Sequence, residues 1–160
     1  MVQSILSELR LTPPEALEAL VDTAPFLMHS SDAEGRFLRM SGRWLDRLGY
    51  RLEDVVGRNS HGFLTPDSAA RARRVKPRLI AEGAINDVEL TFLSRLGAPV
   101  QVNLSGVAVF DEDGALLRTI AICFDTSRYA SYREEVEARR TAERGQAAKS
   151  HLLAQISHEV

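Results

Sequence analysis

The spacing of apolar residues changes near residue 84. Before it they recur three and four apart in short runs broken by Gly and Pro, and after it they alternate every second residue. Residues 84–95 alternate through Val88, Leu90 and Phe92, and Leu96-Gly97 makes a tight turn. Residues 99–110 continue through Val100, Val102 and Leu104, then through Val107 and Val109, so a change of parity at Ser105-Gly106 predicts a bulge. Asp111-Glu-Asp-Gly114 is a hairpin turn, and residues 115–124 supply a further strand ending at Asp125-Thr126.

The first half carries one more hairpin. Phe26, Leu27 and Met28 place a strand over 25–31, Asp32-Ala-Glu-Gly35 is its turn, and 36–40 return. Ser41 can cap a short helix bearing Trp44, Leu45 and Leu48, which Gly49 ends. A helical turn over 53–56 is closed by Gly57, and 58–67 is irregular. A basic helix follows over 68–82, where Pro77 predicts a kink or an early end. At the start of the chain, Thr12 and Glu15 have capping-box spacing around Pro13, which predicts a helix over 13–21 with Leu17, Leu20 and Val21 on one face. So short a helix must dock, on its own sheet or on a second copy of the chain. Two strands, short helices and three meandering strands define an α+β domain with one antiparallel sheet.

From residue 127 onward there is no Pro and one Gly, Gly145, among strong helix formers. A continuous helix would run about 50 Å at ~1.5 Å per residue. Tyr129, Tyr132 and Val136 form one apolar stripe and Leu153, Ile156 and Val160 another, but Arg139, Arg140, Ala142, Glu143 and Ala147 between them give no heptad. A stutter would reconcile the two phases. The expected assembly is a parallel homodimer with its twofold axis along this helix, the weak middle being either a two-state element or a loose linker. His158 lies off the second stripe, where its imidazole can meet water, with the Glu159 carboxylate beside it to hold its tautomer or take its proton.

Composition narrows the class. At 44% hydrophobic and 26% charged, 160 residues can bury a core, and a net charge of −2 argues against general attraction to nucleic acid or anionic lipid. A single cysteine, Cys123, excludes an intrachain disulfide and suits a reducing compartment. No apolar run approaches the ~20 residues of a membrane span, and the first residues do not form a signal peptide, so a cytoplasmic location is expected. The basic run Arg71, Arg73, Arg74, Lys76 and Arg78 reads as a solvated helix face or a dock for an acidic partner.

Five pieces in order resemble the PAS domain across residues 14–126: Asp32-Ala-Glu-Gly35, Leu48-Gly-Tyr50, Leu52-Glu-Asp-Val-Val-Gly57, Asp111-Glu-Asp-Gly114 and Asp125-Thr126-Ser127. The resemblance implies strand order 2-1-5-4-3 with helices over one face. It also makes Asp125 and Thr126 a signal relay into the outgoing helix, whose bare N–H groups such side chains can cap. The stretch Lys149-Ser-His-Leu-Leu-Ala-Gln-Ile-Ser-His-Glu-Val160 resembles the H-box of sensor histidine kinases, without the Arg-Thr-Pro that usually follows. That implies His158 as acceptor of phosphate from ATP, Glu159 as general base or orienting carboxylate, and a response-regulator aspartate as the next acceptor. No Gly-rich nucleotide motif occurs, so a parent kinase would supply the ATP-binding domain and this chain alone would be inactive. The expected organisation is a helix over 1–22, a PAS domain over 23–126, a signalling linker over 127–148 and the start of the dimerisation helix over 149–160. The rival is a non-enzymatic PAS sensing or interaction module with a dimerising tail.

No cofactor is identified. Arg58-Asn-Ser-His-Gly-Phe-Leu64 resembles the flavin-binding, light-sensing branch of PAS domains, but Ser60 replaces the photoreactive cysteine, His61 replaces an arginine and Gly62 is inserted. A hydroxyl lacks thiolate nucleophilicity, and Cys123 is in a different strand. Haem would need a His on the 68–82 helix, which has none. His29 and His61 are stand-ins whose ordinary role is a hydrogen-bonded structural one. Phe26, Met28, Trp44, Leu48, Phe63, Phe92, Val102 and Ile120 are the residues expected to line a pocket or to form plain core.

Overall fold

Ser41 organises the start of the domain. Its backbone is extended and its hydroxyl accepts from Trp44 N, opening helix α1 (Gly42–Leu48), which Gly49 closes in the left-handed conformation. The same hydroxyl accepts from Met28 N at 3.0 Å and donates to Phe26 O at 2.9 Å. The computed structural model describes Ala19 and residues 21–159. Most of the helix expected over 13–21, with Leu17 and Leu20, lies outside those residues. Residues 21–23 are helical, and Val21 and Ala24 are buried.

The strands are β1 (Leu27–Asp32), β2 (Phe37–Met40), β3 (Ala84–Leu93), β4 (Pro99–Phe110) and β5 (Leu116–Asp125). They form one antiparallel sheet in the order β2-β1-β5-β4-β3, as the resemblance implied. Helices α2 (Leu52–Val55) and α3 (Pro66–Glu82) and a 3-10 turn (Ser60–Phe63) join its halves. The buried core includes Leu27, Phe37, Trp44, Leu48, Phe63, Phe92 and Val102.

Three expectations are corrected. Helix α3 starts at Pro66, because Thr65 caps it and accepts from Ser68 N at 3.4 Å. Pro77 does not end it: Pro77 and Arg73 are both exposed, so water can reach the carbonyl that the ring leaves unpaired. The bulge is in β3, between Ile85 and Val88, where Asp87 has φ 58°, and β4 runs through Ser105-Gly106 unbroken. Val107 and Val109 are therefore apolar residues on the outward face.

The chain divides into two units, Met1–Asp125 and Thr126–Val160. The second is helix α4 (Ser127–Glu159), 33 residues passing through Gly145 without a break. Among the described residues no helix is long and apolar enough to cross a membrane. Replacing Ser41, fully buried, with Ala would take the side-chain partner from Met28 N and Phe26 O, while Trp44 N would keep only the Ser41 carbonyl at 3.0 Å. Ser41→Ala is expected to cost about 2–4 kcal/mol in a urea titration, more than the ~1 kcal/mol of an ordinary cap.

Candidate functional site

Alternation in β1 turns Leu27, His29 and Ser31 inward and leaves Met28, Ser30 and Asp32 less buried. His29 thus enters an aromatic wall, with ring centroids 5.1 Å from Phe37, 6.0 Å from Phe92 and 6.5 Å from Trp44. Removal from water lowers its pKa from 6.5 to about 4, so the imidazole is neutral near pH 7. It is buried without the hydrogen bond expected of a structural histidine, and its Nδ1 has no partner among the described residues.

Beside His29 lies a cavity of about 110 Å³. Leu79 from α3, Ile85, Val88 and Leu90 from β3, and Leu104 from β4 form its buried apolar walls, while Ser31 and Thr119 add hydroxyls. Asp32, Gly35, Ser60, His61 and Lys76, all half-buried, make the mouth. The mouth is tied down: Lys76 Nζ donates to Ala33 O at 2.7 Å, and Asn59 accepts from His61 N at 3.0 Å. Asp32 accepts from Arg36 N at 2.8 Å. Partial burial, followed by the charges of Arg73 and Lys76, lowers the His61 pKa.

Of the eight residues expected around a pocket, Ile120 lines this cavity. Trp44, Leu48, Phe63, Phe92 and Val102 pack in the adjoining core, where Trp44 and Phe92 meet edge to face at 5.7 Å. Phe26 and Met28 are half-buried outside that core, because the strand parity that turns His29 inward turns Met28 away. The walls from α3 and β3 were missed. The pattern Leu27-x-His29-x-Ser31, polar residues on an apolar parity, was the available signal. Ser60 is at the mouth, whereas Cys123 is in β5, fully buried, its thiol pushed up to about 12 by burial. That thiol carries no thiolate near neutral pH.

Asp125, the last residue of β5, forms a hydrogen-bonded ion pair with Arg47 Nε of α1. Half-exposed as it is, the pair contributes ~1 kcal/mol or less and acts mainly to fix position. Thr126, half-buried, separates β5 from α4. His158 and Glu159 fall on the last turn of α4, and their side chains lie outside the described residues.

The PAS fold family matches residues 15–125. The chain belongs to the PAS family. Solved structures agree in fold. An RNA-binding light-oxygen-voltage receptor has a TM-score of 0.65 at 16% identity, over 84% of this chain and 38% of the receptor. The chain therefore spans well under half of that receptor. A PAS domain from Colwellia psychrerythraea has a TM-score of 0.67 at 14% identity, over 73% of this chain and 99% of that one. The PAS domain of an HTR-like protein from Haloarcula marismortui has a TM-score of 0.56 at 25% identity, over 77% and 96%. No curated protein matches.

The His29 pKa sets a stability window. The folded state holds a depressed pKa, so its contribution is complete above about pH 6.5 and is lost as pH falls toward about 4, where the unfolded chain binds a proton that the fold refuses. The loss is expected to total about 3 kcal/mol. Urea titrations at several pH values should show the wild type losing about that much more than His29→Phe over this range.

Proposed function

We propose that this chain is the sensory and dimerisation part of a cytoplasmic sensor histidine kinase, in which the PAS cavity receives the input and His158 accepts phosphate from ATP. The observation that carries the reading is helix α4, unbroken from the end of β5 to the turn that bears His158 and Glu159. Glu159 is the orienting carboxylate or general base, and an aspartate of a response regulator is the onward acceptor. A kinase domain supplies the ATP site.

The relay has a contiguous route. His29 borders both the cavity and Trp44, Trp44 is the buried anchor of α1, and Arg47 of the same helix holds Asp125. A repacking around His29 would reach the residue from which Thr126 and α4 depart. Tyr129, Tyr132, Leu152, Leu153 and Ile156 are exposed on α4, and a second copy in parallel register is the partner proposed for them. The poor seam between the two stripes supplies a segment that can hold two packings.

Flavin is not the proposed input. Ser60 offers no thiolate, Cys123 is buried as a thiol, and the cavity is small beside a three-ring chromophore. The test supplies a histidine-kinase catalytic domain in trans with labelled ATP. Acid-labile label on His158, absent from His158→Gln, is the expected result. Absence of label from the wild type as well would replace this reading with a PAS interaction module whose helical tail only dimerises.

A further inference from the structure

The buried polar groups that line the cavity are uncharged. His29 is 7% exposed, its ring makes aromatic contacts, and its Nδ1 has no hydrogen-bond partner among the described residues. Ser31, 5% exposed, and Thr119, half-buried, contribute hydroxyls to the lining. Leu79, Ile85, Val88 and Leu104 form the rest of the interior. Charge is confined to the mouth, where Lys76 is engaged with a backbone carbonyl and Asp32 is near Arg36, their charged atoms 3.7 Å apart. The occluded Nδ1 forgoes its hydrogen bond to water, and the ring as a lining residue is the buried titratable group nearest to an occupant of the cavity. An anion in this interior would lose its hydration with no buried cation to receive it.

We infer that the cavity takes a small neutral molecule with an apolar body and one hydroxyl or N–H group, and that His29 is the residue that recognises that group. The inference rests on the reading of the cavity as the input site. Size sets the class: about 110 Å³ compares with the ~150 Å³ of an engineered apolar cavity that admits benzene. A single six-membered ring or a short branched alcohol fits, and a fused chromophore does not. The body packs on Leu79, Val88 and Leu104, where burial drives entry. The hydroxyl reaches the imidazole, which can accept or donate according to tautomer. Occupancy would stiffen the wall formed by His29 and Trp44, so the ligand would act on the same ring contacts that lead to α1.

Phenol, benzene and benzoate are matched probes that differ in the group presented to His29. They would be titrated into the whole 160-residue chain near pH 7, calorimetrically and with nitrogen-15 NMR of labelled histidine. Phenol is expected to bind about tenfold tighter than benzene, with benzoate weakest, and to move the His29 ring-nitrogen resonances. In His29→Phe benzene should still bind and the preference for phenol should fall to about one. If that variant does not melt cooperatively, the wild-type nitrogen shifts decide alone. Equal binding of benzene and phenol, or a phenol preference that survives His29→Phe, overturns the role of His29. Benzoate binding tighter than phenol overturns the neutral class and moves recognition to Lys76 and His61 at the mouth. Failure of all three probes overturns the inference and the cavity as input site together. Labelling of His158 in trans is independent of that outcome.

Discussion

The hydroxyl of Ser41 is the interaction on which the rest of the domain depends. It accepts from Trp44 N and Met28 N and donates to Phe26 O, with no exposure to water. One oxygen therefore starts α1, satisfies the backbone at the start of β1 and fixes the distance between them. Those bonds set the positions of Trp44 and His29, on adjoining elements. A Thr would keep the bonds but adds a methyl where no free surface remains, and an Asp would bury a charge. Serine is the residue that meets all three demands at a site without solvent.

The aromatic wall that Ser41 positions is a compromise between packing and polarity. Phe37, Trp44 and Phe92 meet edge to face around His29, and each such pair adds about 0.5–1.5 kcal/mol beyond area burial. Against this, His29 Nδ1 and Trp44 Nε1 are both buried without partners among the described residues. A core selected for stability alone would carry Leu or Phe at position 29, since replacing a buried polar group by an apolar one of similar shape is close to neutral or favourable. The imidazole forms one border of the cavity, whereas the indole of Trp44 lies in the core beside it.

Much of this was legible in the sequence because it depends on local rules. The turns at Gly35, Gly97 and Gly114 all have positive φ, and Ser41 and Gly49 cap α1 as their residue types predict. Strand order came from resemblance, since alternation alone does not say which strands pair. Apolar residues at 107 and 109 mimic an inward parity and so point to a bulge in β4, whereas the break is in β3 between Ile85 and Val88. The cavity was harder to see. Its walls come from residues on α3, β3, β4 and β5, which only the sheet order brings together, and sheer apolar size pointed instead to Trp44 and Phe92, which fill space. His29 was weighed as a haem stand-in or a satisfied histidine, and neither reading anticipates an unpaired ring at a cavity edge.

The contrast between the two units carries a last consequence. Among the described residues the first unit builds a core that includes Leu27, Phe37 and Trp44, whereas α4 exposes Tyr129, Tyr132, Leu152, Leu153 and Ile156. A 33-residue helix with so few apolar side chains gains little from propensity alone, and its stability must come from another surface. The apolar residues cluster toward its two ends and leave the middle to Arg, Glu and Ala. The proposed parallel pair, built on such ends, would be held firmly at each and weakly between, so a small rotation imposed at one end would meet little resistance before the other. Arg47 grips Asp125 two residues before α4 begins. In the proposed relay a modest ion pair would suffice there, because it would fix direction without making a second packing of the helices inaccessible.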